Sequence, residues 1–252
     1  METSNIWIPF LLTFLAGIST GFGSLISLFI KDFKETYLHF SLGLSAGVMI
    51  YVSFAELLAS AVNDVGFLKA NIAFFVGILF IMSLDFLIPH EYIEEKVKSN
   101  KKNRKLMAAG IFTALGIAIH NVPEGLAVFV SSLGDISLGV PLAFAIAIHN
   151  IPEGIAVAMP IYYATKSKAK AFWYSLFSGI AEPVGAVIGI LILMPFLNPS
   201  ILSLSLAFVA GIMVFISFDE LLPLSFKSDN NHVSIIGLIL GMAVMAISLY
   251  LL

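Results

Sequence analysis

Apolar runs dominate the chain, near residues 6–30, 40–62, 70–89, 107–131, 139–163, 171–195, 202–224 and 233–252. A helix needs about 20 such residues to cross the hydrocarbon of a bilayer. Period-two alternation of the barrel type is absent, and a helix satisfies its own backbone hydrogen bonds in lipid. The pattern therefore predicts an all-α integral membrane protein with eight transmembrane helices, and the whole chain, 1–252, reads as one polytopic domain. The first span has no Lys or Arg before it and no small-residue cleavage pattern, so a retained helix is expected rather than a signal peptide.

Composition supports this reading. Hydrophobic residues make up 59% and charged residues 12% of the chain, with a mean hydropathy of +1.00. Nucleic acid is not an expected partner at a net charge of -3, whereas membrane lipid is. With no cysteine in the chain, disulfides and thiolate metal sites are excluded.

Basic residues set the expected orientation, because short cytoplasmic loops carry an excess of Lys and Arg. Twelve fall after spans one, three, five and seven, from Lys31 to Lys227, while the opposite side has only Lys69. Both termini are thus expected outside a plasma membrane (the inner membrane of a prokaryote), with 94–105 as a basic cytoplasmic loop. That loop serves topology in the simpler reading and anionic lipid in the other.

The sequence also repeats itself. Residues 47–58 read GVMIYVSFAELL and residues 211–222 read GIMVFISFDELL, identical at seven of twelve positions. Nearly the same offset aligns AGISTGFGSLIS (16–27) with SGIAEPVGAVIG (178–189). Spans one to three then resemble spans six to eight in opposite topology, a 3+2+3 arrangement with inverted repeats around spans four and five. Such repeats point to a secondary transporter with its substrate site near the midplane.

Seven of the sixteen acidic residues lie within the spans, and no Lys or Arg does. Intramembrane charges are costly and find a counter-charge, which here must be protons or a bound cation. HNVPEG (120–125) in span four returns as HNIPEG (149–154) in span five, and Glu182 lies near the centre of span six. His and Glu at i and i+4 share a helix face, and the Asn at i+1 is turned by roughly 100° to a neighbouring stripe. Each helix supplies an imidazole and a carboxylate to one site, and an amide oxygen able to serve a second beside it. Pro123 and Pro152 free backbone carbonyls, and Gly125 and Gly154 permit close helix approach. Without thiolate, this donor set suits zinc, iron(II), manganese or cobalt better than copper(I). The competing structural reading has each His-Asn-Glu set only tying helices together by hydrogen bonds.

Depth sorts the other acids. Glu56 lies outward of its span centre and reads as an entrance group. Asp85, His90, Asp219 and Glu220 lie on the inner side and read as a cytoplasmic exit path, although Glu220 can equally serve a helix end and His90 a solvated interface. His39 and His232 fall in or beside loops and receive no role.

In these residues the chain resembles the ZIP (Zrt/Irt-like protein) metal transporter family, particularly its short bacterial zinc-uptake branch. The resemblance rests on eight spans, HNVPEG in the fourth, HNIPEG in the fifth and AEPVGA around Glu182 in the sixth. It implies inward movement of divalent metal through a two-metal centre. One site would be His120, Glu124, His149 and Glu153; the other would use Asn121, Asn150 and Glu182, with Glu124 and Glu153 bridging. The loop EEKVKSNKKNRK lacks the His-rich tract of many eukaryotic members, so no metal-sensing role is expected of it. Asn in both motifs fits broad selectivity. Metal is then transported substrate, no catalytic cofactor is expected, and a homodimer is a candidate assembly. Two alternatives remain: a cation or proton channel using the acid ladder, and an intramembrane metal hydrolase, against which the chain lacks HExxH.

Overall fold

The computed structural model describes residues 6–29, 34–87, 100–188, 191, 198–226 and 231–251. They form eight helices long and apolar enough to cross a membrane, with no strand among the described residues. These are α1 (Trp7–Phe29), α2 (Glu35–Val65), α3 (Phe67–Leu87), α4 (Lys101–Gly134), α5 (Ile136–Thr165), α6 (Lys168–Ile188), α7 (Pro199–Ser225) and α8 (His232–Leu251).

Several helices outrun their apolar cores. Hydropathy marks the stretch that fits in hydrocarbon, while a helix continues into water until a cap stops it. Residues 101–105, expected in the basic loop 94–105, are therefore the first turns of α4; 94–99 lie outside the described residues. The side chain of Asn100 caps this helix by accepting from the Asn103 N–H at 2.9 Å. Asp135 caps α5 through the Ser137 N–H at 2.8 Å, and the bond from the Ser137 hydroxyl, followed by this one, holds the Asp135 carboxyl below its ordinary range. Asn198 caps α7, whose first residue is a proline with no N–H to orphan.

The helices fall into two groups. Helices α1, α4, α5 and α6 all pack on one another. In the second group α8 lies on α2, α3 lies on α7, and α2 meets α7. The groups touch mainly where α2 crosses α5 and α4 crosses α7. Helices α4 and α5 are the most enclosed, whereas α3 and α8 expose most of their apolar side chains, as a lipid-facing helix does.

Glycines set the closest crossings. A Cβ at Gly47 would run into the Leu238 carbonyl, and one at Gly211 into that of Phe74; Gly77 lies on Phe208 and Gly241 on Leu44. Carried on at constant offset, the alignment of 47–58 with 211–222 maps Phe74 onto Leu238, Gly77 onto Gly241 and Leu44 onto Phe208. The α2–α8 and α3–α7 crossings thus use the same aligned positions with roles exchanged. Gly47→Val should force these backbones apart, at the roughly 1–3 kcal/mol typical of overpacking. A lower unfolding midpoint in detergent checks it, and an unchanged midpoint would contradict the close crossing.

The aligned motifs also share a local distortion. Both SFAELL and SFDEL leave the α-helical ladder as a π-helical turn, Ser53–Leu58 in α2 and Ser217–Leu221 in α7. Each turn begins at a buried serine whose hydroxyl donates to the carbonyl four residues earlier, Ser53 to Met49 at 2.6 Å and Ser217 to Met213 at 2.8 Å. That hydroxyl competes with the backbone for the carbonyl and loosens the ladder. Such bulges concentrate at functional sites, and these two present Glu56 and Glu220.

Candidate metal centre

The two HNxPEG copies lie in the middle of α4 and α5, which continue as helices through Pro123 and Pro152. All seven residues expected at the centre are buried: His149 is 2% exposed, and His120, Asn121, Glu124, Asn150, Glu153 and Glu182 are 0% exposed.

Pairing crosses between the helices. His120 Nε2 lies 3.0 Å from Glu153 Oε1, and His149 Nε2 lies 3.3 Å from Glu124 Oε2. Each imidazole thus bonds the carboxylate of the other copy, not that of its own helix. Carboxylate oxygen only accepts, so Nε2 carries the proton and Nδ1 of a neutral ring holds the lone pair.

The asparagines turn to the flanking helices, as their offset in the motif requires. Asn121 Nδ2 donates to the Ser178 carbonyl of α6 at 3.2 Å, and Asn150 Nδ2 to the Ala16 carbonyl of α1 at 2.9 Å. Ala16 and Ser178 head the aligned segments 16–27 and 178–189. Because a carbonyl holds each NH₂, the amide flip is fixed and Oδ1 is left over. Asn150 Nδ2 also donates to Glu182 Oε1. Close approach makes these bonds reachable: Gly125 sits against the Glu182 carbonyl, and Gly154 against that of Thr20.

After these bonds, one oxygen or nitrogen on each of the seven residues has no hydrogen-bond partner in the protein: His120 Nδ1, Asn121 Oδ1, Glu124 Oε1, His149 Nδ1, Asn150 Oδ1, Glu153 Oε2 and Glu182 Oε2. A buried polar atom left this way costs about 1–3 kcal/mol. Seven together rival a domain's whole net stability, about 5–15 kcal/mol, so helix tying alone does not account for them. Their shared chemistry is a lone pair, which is what a cation takes. Two imidazole nitrogens among oxygens, without sulfur, match an intermediate divalent transition metal.

Glu56 is half-buried and lines a cavity of about 100 Å³ together with Ser60, Glu124 and His149. Asp85, Asp219 and Glu220 also come together, each offering an oxygen within 4.8 Å of the others. Among the described residues this is the one set of three His or acidic side chains meeting that distance; the central residues converge as pairs. His90, expected beside the trio, lies outside the described residues. His39 is not in a loop: it is buried within α2, its Nδ1 lying 3.2 Å from the Leu224 carbonyl.

Sequence reasoning missed Thr20. Its buried Oγ1 has no hydrogen-bond partner in the protein. The signal was present, since the alignment of 16–27 with 178–189 places Thr20 opposite Glu182. Ser45 was missed as well; its hydroxyl donates to the Pro152 carbonyl at 2.6 Å and ties α2 to the second motif.

Known proteins share the whole chain. The family described as ZIP Zinc transporter matches residues 87–249. A Zinc transporter ZupT of Oceanobacillus iheyensis is 52% identical, over 98% of this chain and 99% of its own. Proteins of the same name from Streptococcus mutans and Clostridium perfringens are 50% and 49% identical, covering 99% and 98% of this chain and 99% and 97% of theirs. Identity of this extent, together with the family match from the end of α3 into α8, makes the chain a member of the ZIP zinc transporter family.

Proposed function

We propose that the protein carries zinc, and with it iron(II), manganese and cobalt, into the cytosol through a two-metal centre between α4, α5 and α6. Family membership makes it a multi-pass membrane transporter of divalent metal and not an enzyme, and favours neither the channel nor the hydrolase. The observation that carries the centre is the set of seven buried atoms with no partner in the protein. His120, Glu124, His149 and Glu153 form the first site. Asn121, Asn150 and Glu182 form the second, with Glu124 and Glu153 shared.

Protons and metal compete for the same atoms. Each cross-helix His-Glu bond holds its proton on Nε2, so the competition with metal is for the Nδ1 lone pairs and the free carboxylate oxygens, and ligation requires neutral imidazole and ionised carboxylate. With both termini outside, the inside-negative potential draws the cation inward, at about 2.3 kcal/mol per charge per 100 mV.

Glu56 is the entrance group, supported by the cavity it shares with Glu124 and His149. Asp85, Asp219 and Glu220 receive the ion on the cytoplasmic side, supported by their convergence. Spans one to three and six to eight are inverted repeats around α4 and α5, a reading that the exchanged glycine crossings and paired π-helical turns favour. Transport then moves the α1, α4, α5 and α6 group against the other four helices.

Zinc and manganese flux into proteoliposomes tests the function. Saturable influx of both is expected, and no zinc influx would overturn it. Within that assay Glu56→Gln should raise the zinc KM several-fold with little change in maximal rate, because a charge at the mouth of a path acts mainly on capture. An unchanged KM would remove Glu56 from the route.

A further inference from the structure

Helices α1 and α6 carry the aligned segments 16–27 and 178–189, and their contacts with the two HNxPEG motifs correspond. Gly125 of the first motif sits against the Glu182 carbonyl, and Gly154 of the second against that of Thr20. Gly185 in turn sits against the Val122 carbonyl, and Gly23 against that of Ile151. At the same offset, Ser175 Oγ lies 3.2 Å from the Gly154 carbonyl and Thr13 Oγ1 lies 3.5 Å from that of Gly125. Where α1 and α6 meet, a Cβ at Gly17 would lie 3.2 Å from the Glu182 Cβ, and one at Gly179 would lie 2.8 Å from the Thr20 Cβ. Exchanging α1 and α5 with α6 and α4 maps each of these contacts onto its counterpart. It also puts Thr20 where Glu182 stands.

That correspondence gives the Thr20 side chain a direction. Glu182 reaches from α6 to the amide of Asn150 on α5, so its counterpart on α1 is turned toward Asn121 on α4. Asn121 Oδ1 is buried and has no hydrogen-bond partner in the protein. The same holds for Thr20 Oγ1, in a residue that is 0% exposed. A helical threonine ordinarily donates to the carbonyl four residues back, as Thr13 does to Pro9 at 3.0 Å and Thr165 to Ile161 at 2.7 Å. For Thr20 that carbonyl belongs to Ala16, which accepts from the Asn150 amide instead. A buried hydroxyl that forgoes its own backbone, one helix away from an amide oxygen in the same condition, calls for a polar occupant between them.

We propose that Thr20 is a positioning residue of the second metal site, its hydroxyl serving on the Asn121 side as the Glu182 carboxylate serves on the Asn150 side. This rests on the two-metal reading above. The threonine side chain is shorter than that of glutamate, so the hydroxyl holds a water carried by the divalent ion and not the ion itself. Such a bridged bond is nearly as favourable as a direct one, and a hydroxyl can both donate and accept in it. Being neutral, Thr20 also leaves the site with one carboxylate of its own, where two would bind a dication more tightly and release it more slowly.

Titration of the purified full-length protein with zinc by calorimetry, with elemental analysis of bound metal, tests this. Thr20→Val keeps the shape of the side chain and removes the hydroxyl; it should weaken the second zinc about fivefold, the worth of one hydrogen bond, and leave the first unchanged. Thr20→Ser, which keeps the hydroxyl and removes the methyl group, should restore the second zinc to within about twofold. A purely packing role predicts the reverse order. Full second-site affinity in Thr20→Val, or a loss in Thr20→Ser as large as in Thr20→Val, overturns the role of Thr20. Glu182→Ala measured alongside separates this from failure of the two-metal centre. One zinc in the unmodified protein, or two in Glu182→Ala, removes the second site and Thr20 with it. A second zinc lost in Glu182→Ala but fully held by Thr20→Val removes Thr20 alone.

Discussion

Replacing Glu124 and Glu153 together by alanine should abolish zinc uptake into proteoliposomes, by well over the roughly 100-fold that loss of a ligand's outer partner alone can cost. In the proposed centre both carboxylates belong to the first site and are shared with the second, and in the structure both hold the opposite helix's imidazole. Their removal takes the negative charge that offsets a dication in a bilayer where no lysine or arginine is near. Folding should survive. Two oxygens with no partner in the protein disappear with their residues, which offsets the loss of acceptors for the Nε2–H groups of His120 and His149. Initial uptake rates with an unchanged unfolding midpoint check this. Undiminished uptake by the double variant would remove these residues from the path.

Glu182→Ala should reduce bound zinc from two ions per chain to one while leaving the His-containing site filled. Glu182 lies on α6, away from the His-Glu faces, and touches the centre through the Asn150 amide. Both asparagine NH₂ groups are held by backbone carbonyls, so their oxygens are the donors offered to an ion. Losing the one carboxylate proposed for the second site alone would leave it with amide oxygens and shared carboxylates, a weak set for a transition metal. Elemental analysis of equilibrated protein measures the ratio. Two ions bound in the variant would place the second elsewhere, and one ion in the unmodified protein would merge the sites.

Much of this arrangement of helices and side chains was legible beforehand, for physical reasons that can be named. Hydrocarbon thickness imposes a length on apolar runs, so all eight spans were readable. Helical periodicity puts i and i+4 on one face, so His120 with Glu124 and His149 with Glu153 followed from spacing alone. The turn of Asn away from that face was equally readable, and its amide does bond the flanking helix.

Other features were not legible, each for its own cause. Spacing says which side chains share a face but not which face a partner helix presents. The exchange of His120 to Glu153 and His149 to Glu124 therefore needed three dimensions. A fixed helical period hides π-helical turns; SFxEL marked them only through repetition, and the serine back-bond that loosens each ladder is invisible in a hydropathy pattern. Hydropathy also ended α4 at the edge of its apolar run, although Asn100 caps it further out among the lysines. That misreading made Lys102 and Lys105 look like loop residues. Thr20 was passed over because a lone threonine in an apolar helix ordinarily bonds its own backbone, which this one does not.

The central claim is that these buried lone pairs hold metal, and zinc-edge anomalous diffraction from crystals equilibrated with zinc tests it most directly. The account predicts a peak bounded by His120, Glu124, His149 and Glu153 with ligand distances of about 2.0–2.2 Å, and a neighbouring peak against Asn121, Asn150 and Glu182. Crystals of transport-competent protein with zinc only at Asp85, Asp219 and Glu220, and none between α4 and α5, would contradict it.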